Sequence, residues 1–197
     1  EAGVDFRKDT VWMEILVGVD DDPAATWERI ETVRKVFENY FGDDRPAGVI
    51  YPVSRIPNLD GIVEPQPRIV TGDVQIKRSG TIRNGFSTWT SITSGGITEV
   101  IVSGVGGNNA AELLTSIDSS VKEAGGTGLV EDGVFNNAYI VAGADRAANR
   151  ESLVTFNTSF SGYYEGTSPA ARTAQFVGGY QQQGHASGIS NRSIFAA

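Results

Sequence analysis

Residues 97–124, ITEVIVSGVGGNNAAELLTSIDSSVKEA, decide the fold class of this chain. Residues 97–103 are rich in β-branched side chains and read as a strand. Gly104-Val105-Gly106-Gly107-Asn108-Asn109 then reads as a polar turn entering a helix. Ala110, Leu113, Leu114, Ile117, Val121 and Ala124 recur at steps of three and four, which predicts one apolar helix face. Gly125-Gly126 end that helix.

The same grammar occurs near the start. Residues 11–19 (VWMEILVGV) form a strand in which Glu14 is the only charge. Asp22 is placed to cap a helix and Pro23 suits its first position. Trp27, Ile30, Val33, Phe37, Tyr40 and Phe41 make its apolar face, and Gly42 stops it. The stretches 14–41 and 99–124 resemble each other in outline, although few residues match in register.

Between these units the chain is extended. Pro46, Pro52, Pro57, Pro65 and Pro67 forbid a helix over 45–68, leaving short edge strands at Val49-Ile50-Tyr51 and Ile62-Val63. Residues 68–78 and 86–93 read as strands, with Asn84-Gly85 marking a hairpin turn. Beyond the second helix, Leu129-Val130 and 134–142 read as strands, 144–150 as an exposed turn, and 152–164 (SLVTFNTSFSGYY) as the closing strand by its alternation. The resulting expectation is an α+β domain over 1–165: a mainly antiparallel sheet with two helices packed on it, and a Pro-rich excursion at 45–68.

Residues 166–197 differ from the rest. They contain no acid and carry +2 with His185 neutral, against a net charge of −8 for the whole chain. Gly, Gln181, Gln182 and Gln183 dilute the apolar residues, so this stretch reads as an extended arm without a core of its own. Arg172, Phe176, Tyr180, Arg192, Ile194 and Phe195 are the residues expected to anchor it on a neighbouring acidic subunit.

Composition excludes several chemistries. The 197 residues include no Cys, so disulfides, thiolate metal sites and thiol nucleophiles are ruled out. Apolar runs are too short for a membrane-spanning helix, and the first nine residues lack a secretory pattern. Global acidity disfavours nucleic-acid binding beyond passage through a ring lumen. Acidity together with only 4 Lys against 12 Arg suggests adaptation to high salt.

Candidate sites are few. Asp20-Asp21-Asp22 is explained by helix capping, and no further oxygen ligands for a metal ion can be placed. His185, the single His, lies in the arm, away from any scaffold for a catalytic triad. Asn157-Thr158-Ser159 and Asn191-Arg192-Ser193 match the glycosylation sequon by chance. Gly104-Val105-Gly106-Gly107 departs from a dinucleotide fingerprint, because Asn109 stands at the third glycine. No catalytic residue, metal or cofactor is expected.

The order of elements resembles the tail-completion, or tail-terminator, proteins of long-tailed viruses. The resemblance rests on Val49, Ile50, Tyr51 and Pro52 after the first helix, on Val100, Val102, Leu113 and Ile117 in the second strand–helix unit, and on Phe156, Phe160, Tyr163 and Tyr164 in the closing segment. It implies a virion protein of the tail or neck, made in the host cytoplasm. Such a protein forms a hexameric ring with copies of itself and contacts tail-tube and connector proteins. The high-salt composition points to a haloarchaeal host. Two other readings stand beside it: a tail-tube subunit, and a soluble module holding an anionic small ligand at the 104–109 turn through Gly104, Gly106, Gly107 and Asn108.

Overall fold

The computed structural model describes residues 3–54, 56, 62–178 and 185–197. After a single helical turn, Phe6–Asp9 (α1), the apolar run becomes strand Thr10–Gly18 (β1). Helix Pro23–Phe41 (α2) follows, with Asp22 accepting a hydrogen bond from the Ala24 N–H at 2.9 Å and Gly42 terminating it at φ 55°. Strand Ala47–Val53 (β2) returns parallel to β1, and Val63–Ile69 (β3) lies antiparallel on the other side of β1. Pro65 and Pro67 sit in β3, a sheet edge, where a missing N–H is tolerated.

Strand Gln75–Arg78 (β4) opens a second sheet. A small hairpin, Ile82–Arg83 (β5) and Phe86–Ser87 (β6), turns through Asn84 (φ 51°) and Gly85 (φ 89°), the left-handed pair this turn requires. Strands Trp89–Ser94 (β7) and Ile97–Gly107 (β8) follow, then helices Ala110–Glu123 (α3) and Leu129–Asp132 (α4) and strand Gly133–Val141 (β9). Helix Arg146–Tyr163 (α5) and strands Ala171–Val177 (β10) and Ser187–Ala196 (β11) complete the chain. The large sheet has the order β10-β9-β11-β8-β7-β4, and the small one β2-β1-β3.

The sheets pack face to face, with helices on both outer sides. Met13, Ile15, Val17 and Ile50 meet Ile30, Phe37 and Phe41 of α2. Val100, Val102, Ala138, Ile140 and Ile189 meet Leu114 and Ile117 of α3 and Phe156 and Phe160 of α5. Between the sheets, Val49 and Tyr51 oppose Tyr139 and Val177, and Val11 and Ala47 oppose Ile92 and Ile101. The outer edge of β2 is closed by the large sheet: the Ala47 N–H donates to Thr90 Oγ1 and the Gly48 N–H to Ser103 Oγ, each at 2.8 Å. Gly48 has no room for a side chain, since a Cβ there would lie 2.4 Å from the Met13 carbonyl oxygen.

The α+β class holds, with corrections. The sheets are mixed, because β1/β2 and β9/β10 are parallel pairs. Residues 152–163 are helical, with Tyr164 as the C-cap: Leu153, Phe156, Phe160 and Tyr164 at helical spacing face the large core. Intervening Ser and Thr had imitated a period of two, and the expected turn at 144–150 holds the Asp145 cap, which accepts from the Ala148 N–H at 2.9 Å. Leu129-Val130 begin α4 rather than a strand.

Residues 166–197 are no arm. β11 lies at the middle of the large sheet, between β9 and β8, and β10 is an edge strand of it. Small and polar residues made this stretch look unable to pack, yet Ser187, Ser190, Asn191 and Ser193 are buried and bonded. Asn191 Nδ2 donates to Phe135 O and Asn136 Oδ1 at 3.1 Å, and Ser193 Oγ donates to Asn191 Oδ1 at 2.7 Å. A central strand satisfies its backbone on both sides, which removes the need for large side chains.

The internal likeness is also relocated. β1-α2-β2 followed by β3 has the same arrangement as β9-α5-β10 followed by β11: a helix joins two adjacent parallel strands, and an antiparallel strand flanks the first. Asp22-Pro23-Ala24-Ala25 and Asp145-Arg146-Ala147-Ala148 start the two helices.

Candidate functional site

The glycine-rich segment is strand, not loop. Gly104, Gly106 and Gly107 belong to β8, with Gly106 opposite Gly188 and Gly107 opposite Ser187. Asn108 Oδ1 accepts from the Ala186 N–H at 2.9 Å. Asn109 caps α3, its Oδ1 accepting from the Ala111 N–H at 2.9 Å and from Ser159 Oγ at 2.6 Å. A cavity of about 460 Å³ adjoins these asparagines, lined also by Glu151, Ser152 and Thr155. Among the described residues lining it there is a carboxylate and no cation, and the exposed Ala111 donor is already shared by Asn109 and Ser159.

The residues expected to reach a neighbouring subunit mostly meet their own chain. Arg192 pairs with Glu99, and Phe195 packs against the large core beside Gly126. Arg172 lies over the rings of Phe156 and Phe160. Phe176 and Ile194 are exposed. Tyr180, the three glutamines and Pro57 lie outside the described residues. Asp22 is spent on its cap, and Asp20 pairs with Arg29 at 2.9 Å.

A different site emerges between the sheets. Trp12 of β1, Arg68 of β3, Ile101 of β8, Asn137 of β9, and Ser190 and Arg192 of β11 surround a cavity of about 120 Å³. Arg68 grips Glu99 with both terminal nitrogens, at 2.6 and 2.7 Å, and Arg192 Nε donates to the same carboxylate at 2.7 Å. Burial works to raise the Glu99 carboxyl, but hydrogen bonds and charge from Arg68 and Arg192 outweigh it and hold it below its ordinary range. The site thus places two guanidiniums around one carboxylate, with positive charge in excess.

Behind the cavity runs a buried polar chain. Asn137 Nδ2 donates to the Tyr139 hydroxyl at 2.8 Å, and Tyr139 and Ser190 hydroxyls lie 3.2 Å apart. The Tyr139 ring meets that of Tyr51 at 5.0 Å across the two sheets. The Tyr51 hydroxyl donates to the Glu14 carboxylate and accepts from Gln175 Nε2 at 3.1 Å. Burial raises both phenols far above the ordinary tyrosine range, so they stay protonated. Asn137 lines the cavity, and its Oδ1 is buried without a hydrogen-bond partner among the described residues.

Of these cleft residues only Arg192 stood out in the sequence, and as an anchor on a neighbouring subunit rather than as part of a cleft. Glu14, a lone charge in an apolar strand, was the one available signal. Arg68, Asn137 and Arg192 come from strands far apart in the chain, and only the packing of the sheets brings them together.

No family model matches the sequence, and no curated protein matches it. Solved structures do. A chorismatase crystal structure aligns at 12% identity and a TM-score of 0.60, covering 94% of this chain and 64% of that chain. A Mycobacterium tuberculosis member of the YjgF/YER057c/UK114 family aligns at 17% identity and a TM-score of 0.42, covering 61% of this chain and 100% of that chain. RidA from an Antarctic Psychrobacter bacterium aligns at 19% identity and a TM-score of 0.43, covering 61% and 94%. The chorismatase alignment, which spans nearly the whole chain, shows a shared fold. The fold shared with chorismatase overturns the resemblance to tail-terminator proteins, and with it the role as a hexameric virion ring joined to tail-tube and connector proteins. The structural reason is local: the closing strand on which the resemblance leaned is helix α5, and the arm is the centre of a sheet.

Proposed function

We propose that this protein binds a small carboxylate-bearing molecule in the cleft between its sheets. The observation that carries the reading is the convergence of Arg68 and Arg192 at one cavity between the sheets. A ligand carboxylate would share the two guanidiniums with Glu99, and its body would lie on the Trp12 indole. The cavity admits only a few non-hydrogen atoms. The reading keeps the anionic small ligand that stood as an alternative in the sequence and moves it from the 104–109 turn to the cleft. It is one of binding without turnover, since Glu14 and Glu99 are both committed to partners. Self-association is part of the proposal and has apolar surface to use: Val36 and Tyr40 of α2 are exposed.

Calorimetric titration with lactate tests the reading. Saturable binding is expected, weakened about tenfold or more in Arg192→Gln, the loss of one charge-assisted hydrogen bond. Absence of saturation, or equal binding by Arg192→Gln, would refute it.

A further inference from the structure

A second cation is unaccounted for by the cleft. Arg172 stands on the edge strand β10 and points beneath α5, where its guanidinium carbon lies 4.6 Å from the Phe160 ring centroid and 5.5 Å from that of Phe156. Its Nη1 is buried and makes no hydrogen bond among the described residues. Burial lowers its pKa, and no acidic neighbour acts against that, yet arginine remains charged. The contacts with the two rings offset part of the cost of desolvating this cation. They supply no hydrogen-bond acceptor.

Arg172 also lines a cavity of about 440 Å³, together with Phe160, Ser161, Tyr164, Thr167 and Pro169. The walls mix apolar surface from Phe160, Tyr164 and Pro169 with polar surface from Ser161, Thr167 and Arg172. Ser161 supplies a hydroxyl. The Thr167 hydroxyl donates to the Tyr164 carbonyl at 3.0 Å and keeps its oxygen lone pairs. This cavity lies on the helix side of the large sheet, and the cleft on the other side.

We infer that this cavity is a binding site for a small aromatic monocarboxylate, with Arg172 as the carboxylate receptor. One guanidinium with free donors matches one carboxylate. Phe160, Tyr164 and Pro169 match a flat apolar body. A ring alone would leave the cation uncompensated, and a small inorganic anion would leave the apolar walls wet.

The test is titration of the full chain with benzoate, followed by backbone amide shifts and calorimetry, beside the neutral isostere benzamide. Saturable benzoate shifts are expected at Ser161, Thr167 and Ala170, with benzamide bound at least about tenfold more weakly. Arg172→Met, which keeps an apolar side chain and removes the guanidinium, should also lose about tenfold in benzoate affinity. Arg192→Gln should change nothing at this site. Equal binding of benzamide and benzoate by the unaltered protein would overturn the inference, and so would benzoate binding by Arg172→Met equal to that of the unaltered protein. Benzoate shifts confined to Trp12 and Asn137 would overturn it too, while leaving the cleft reading intact.

Discussion

Arg68 of β3 and Glu99 of β8 are joined by a forked pair of charged hydrogen bonds, 2.6 and 2.7 Å long, that ties the small sheet to the large one. Glu99 is also held by Arg192 of β11, so one carboxylate fixes the relative position of three strands at the mouth of the cleft. Arg68 and Arg192 are each partly exposed, which moderates what the pairing is worth.

Acid should weaken this tie in a defined direction. The folded pKa of Glu99 lies below its ordinary value of 4.5, so ionisation favours the folded state. Its contribution is full above that value and is lost as pH falls through the lowered one. Glu99→Gln should cost about 1–2 kcal/mol at neutral pH and flatten the decline in stability below pH ~4.5. Urea unfolding at several pH values measures both effects, and an unchanged acid limb would show that another group governs it.

Removing residues 187–197 should abolish folding. The deletion takes the strand that pairs with both β8 and β9, and with it the buried Ile189. Far-UV circular dichroism should show loss of sheet, and proteolysis should be rapid. A truncated chain with a cooperative melt would contradict the sheet order.

Ile117→Ala and Ile30→Ala probe the two outer cores. Both side chains are buried, one under α3 and one under α2. Each should cost ~2–5 kcal/mol in chemical denaturation, with Ile117 at the upper end because it sits in the larger cluster.

Gly85→Ala tests the hairpin. Gly85 has φ 89°, and a Cβ there would approach Arg34 Cγ to 2.9 Å. The substitution should destabilise by about 1 kcal/mol or more, from backbone strain and from displacement of the Arg34 stem. A melting temperature equal to that of the unaltered protein would mean that the turn relaxes freely.

Asp145→Ala tests the correction at α5. Loss of the cap that accepts the Ala148 N–H should cost about 1 kcal/mol. An exposed turn leading into a strand would register no such loss.

Local signals were legible where one pattern dominated. The Asp22–Gly42 and Asn109–Gly125 helices, the β1 and β8 strands and the Asn84-Gly85 turn each carry a cap, a period or a φ demand that few alternatives satisfy. Residues 152–164 failed because Ser and Thr fit either face of either element, so Phe156, Phe160 and Tyr164 could be counted at a period of two or of 3.6. The candidate site was not legible, because its parts stand on five strands and none is unusual by itself.

Chain order and side-chain chemistry alone set the caps, the turn and the two clear helices, since those depend on neighbours within about four residues. Sheet order, the face each strand presents and the fate of 166–197 depended on pairing between segments up to a hundred residues apart. β11 shows why: its Ser, Gly and Asn residues promise no core, and they are buried only because β8 and β9 satisfy its backbone from both sides. The meeting of Arg68, Glu99 and Arg192 is a consequence of that same packing, in which the closure of two sheets juxtaposes charges that the chain holds 31 and 93 residues apart.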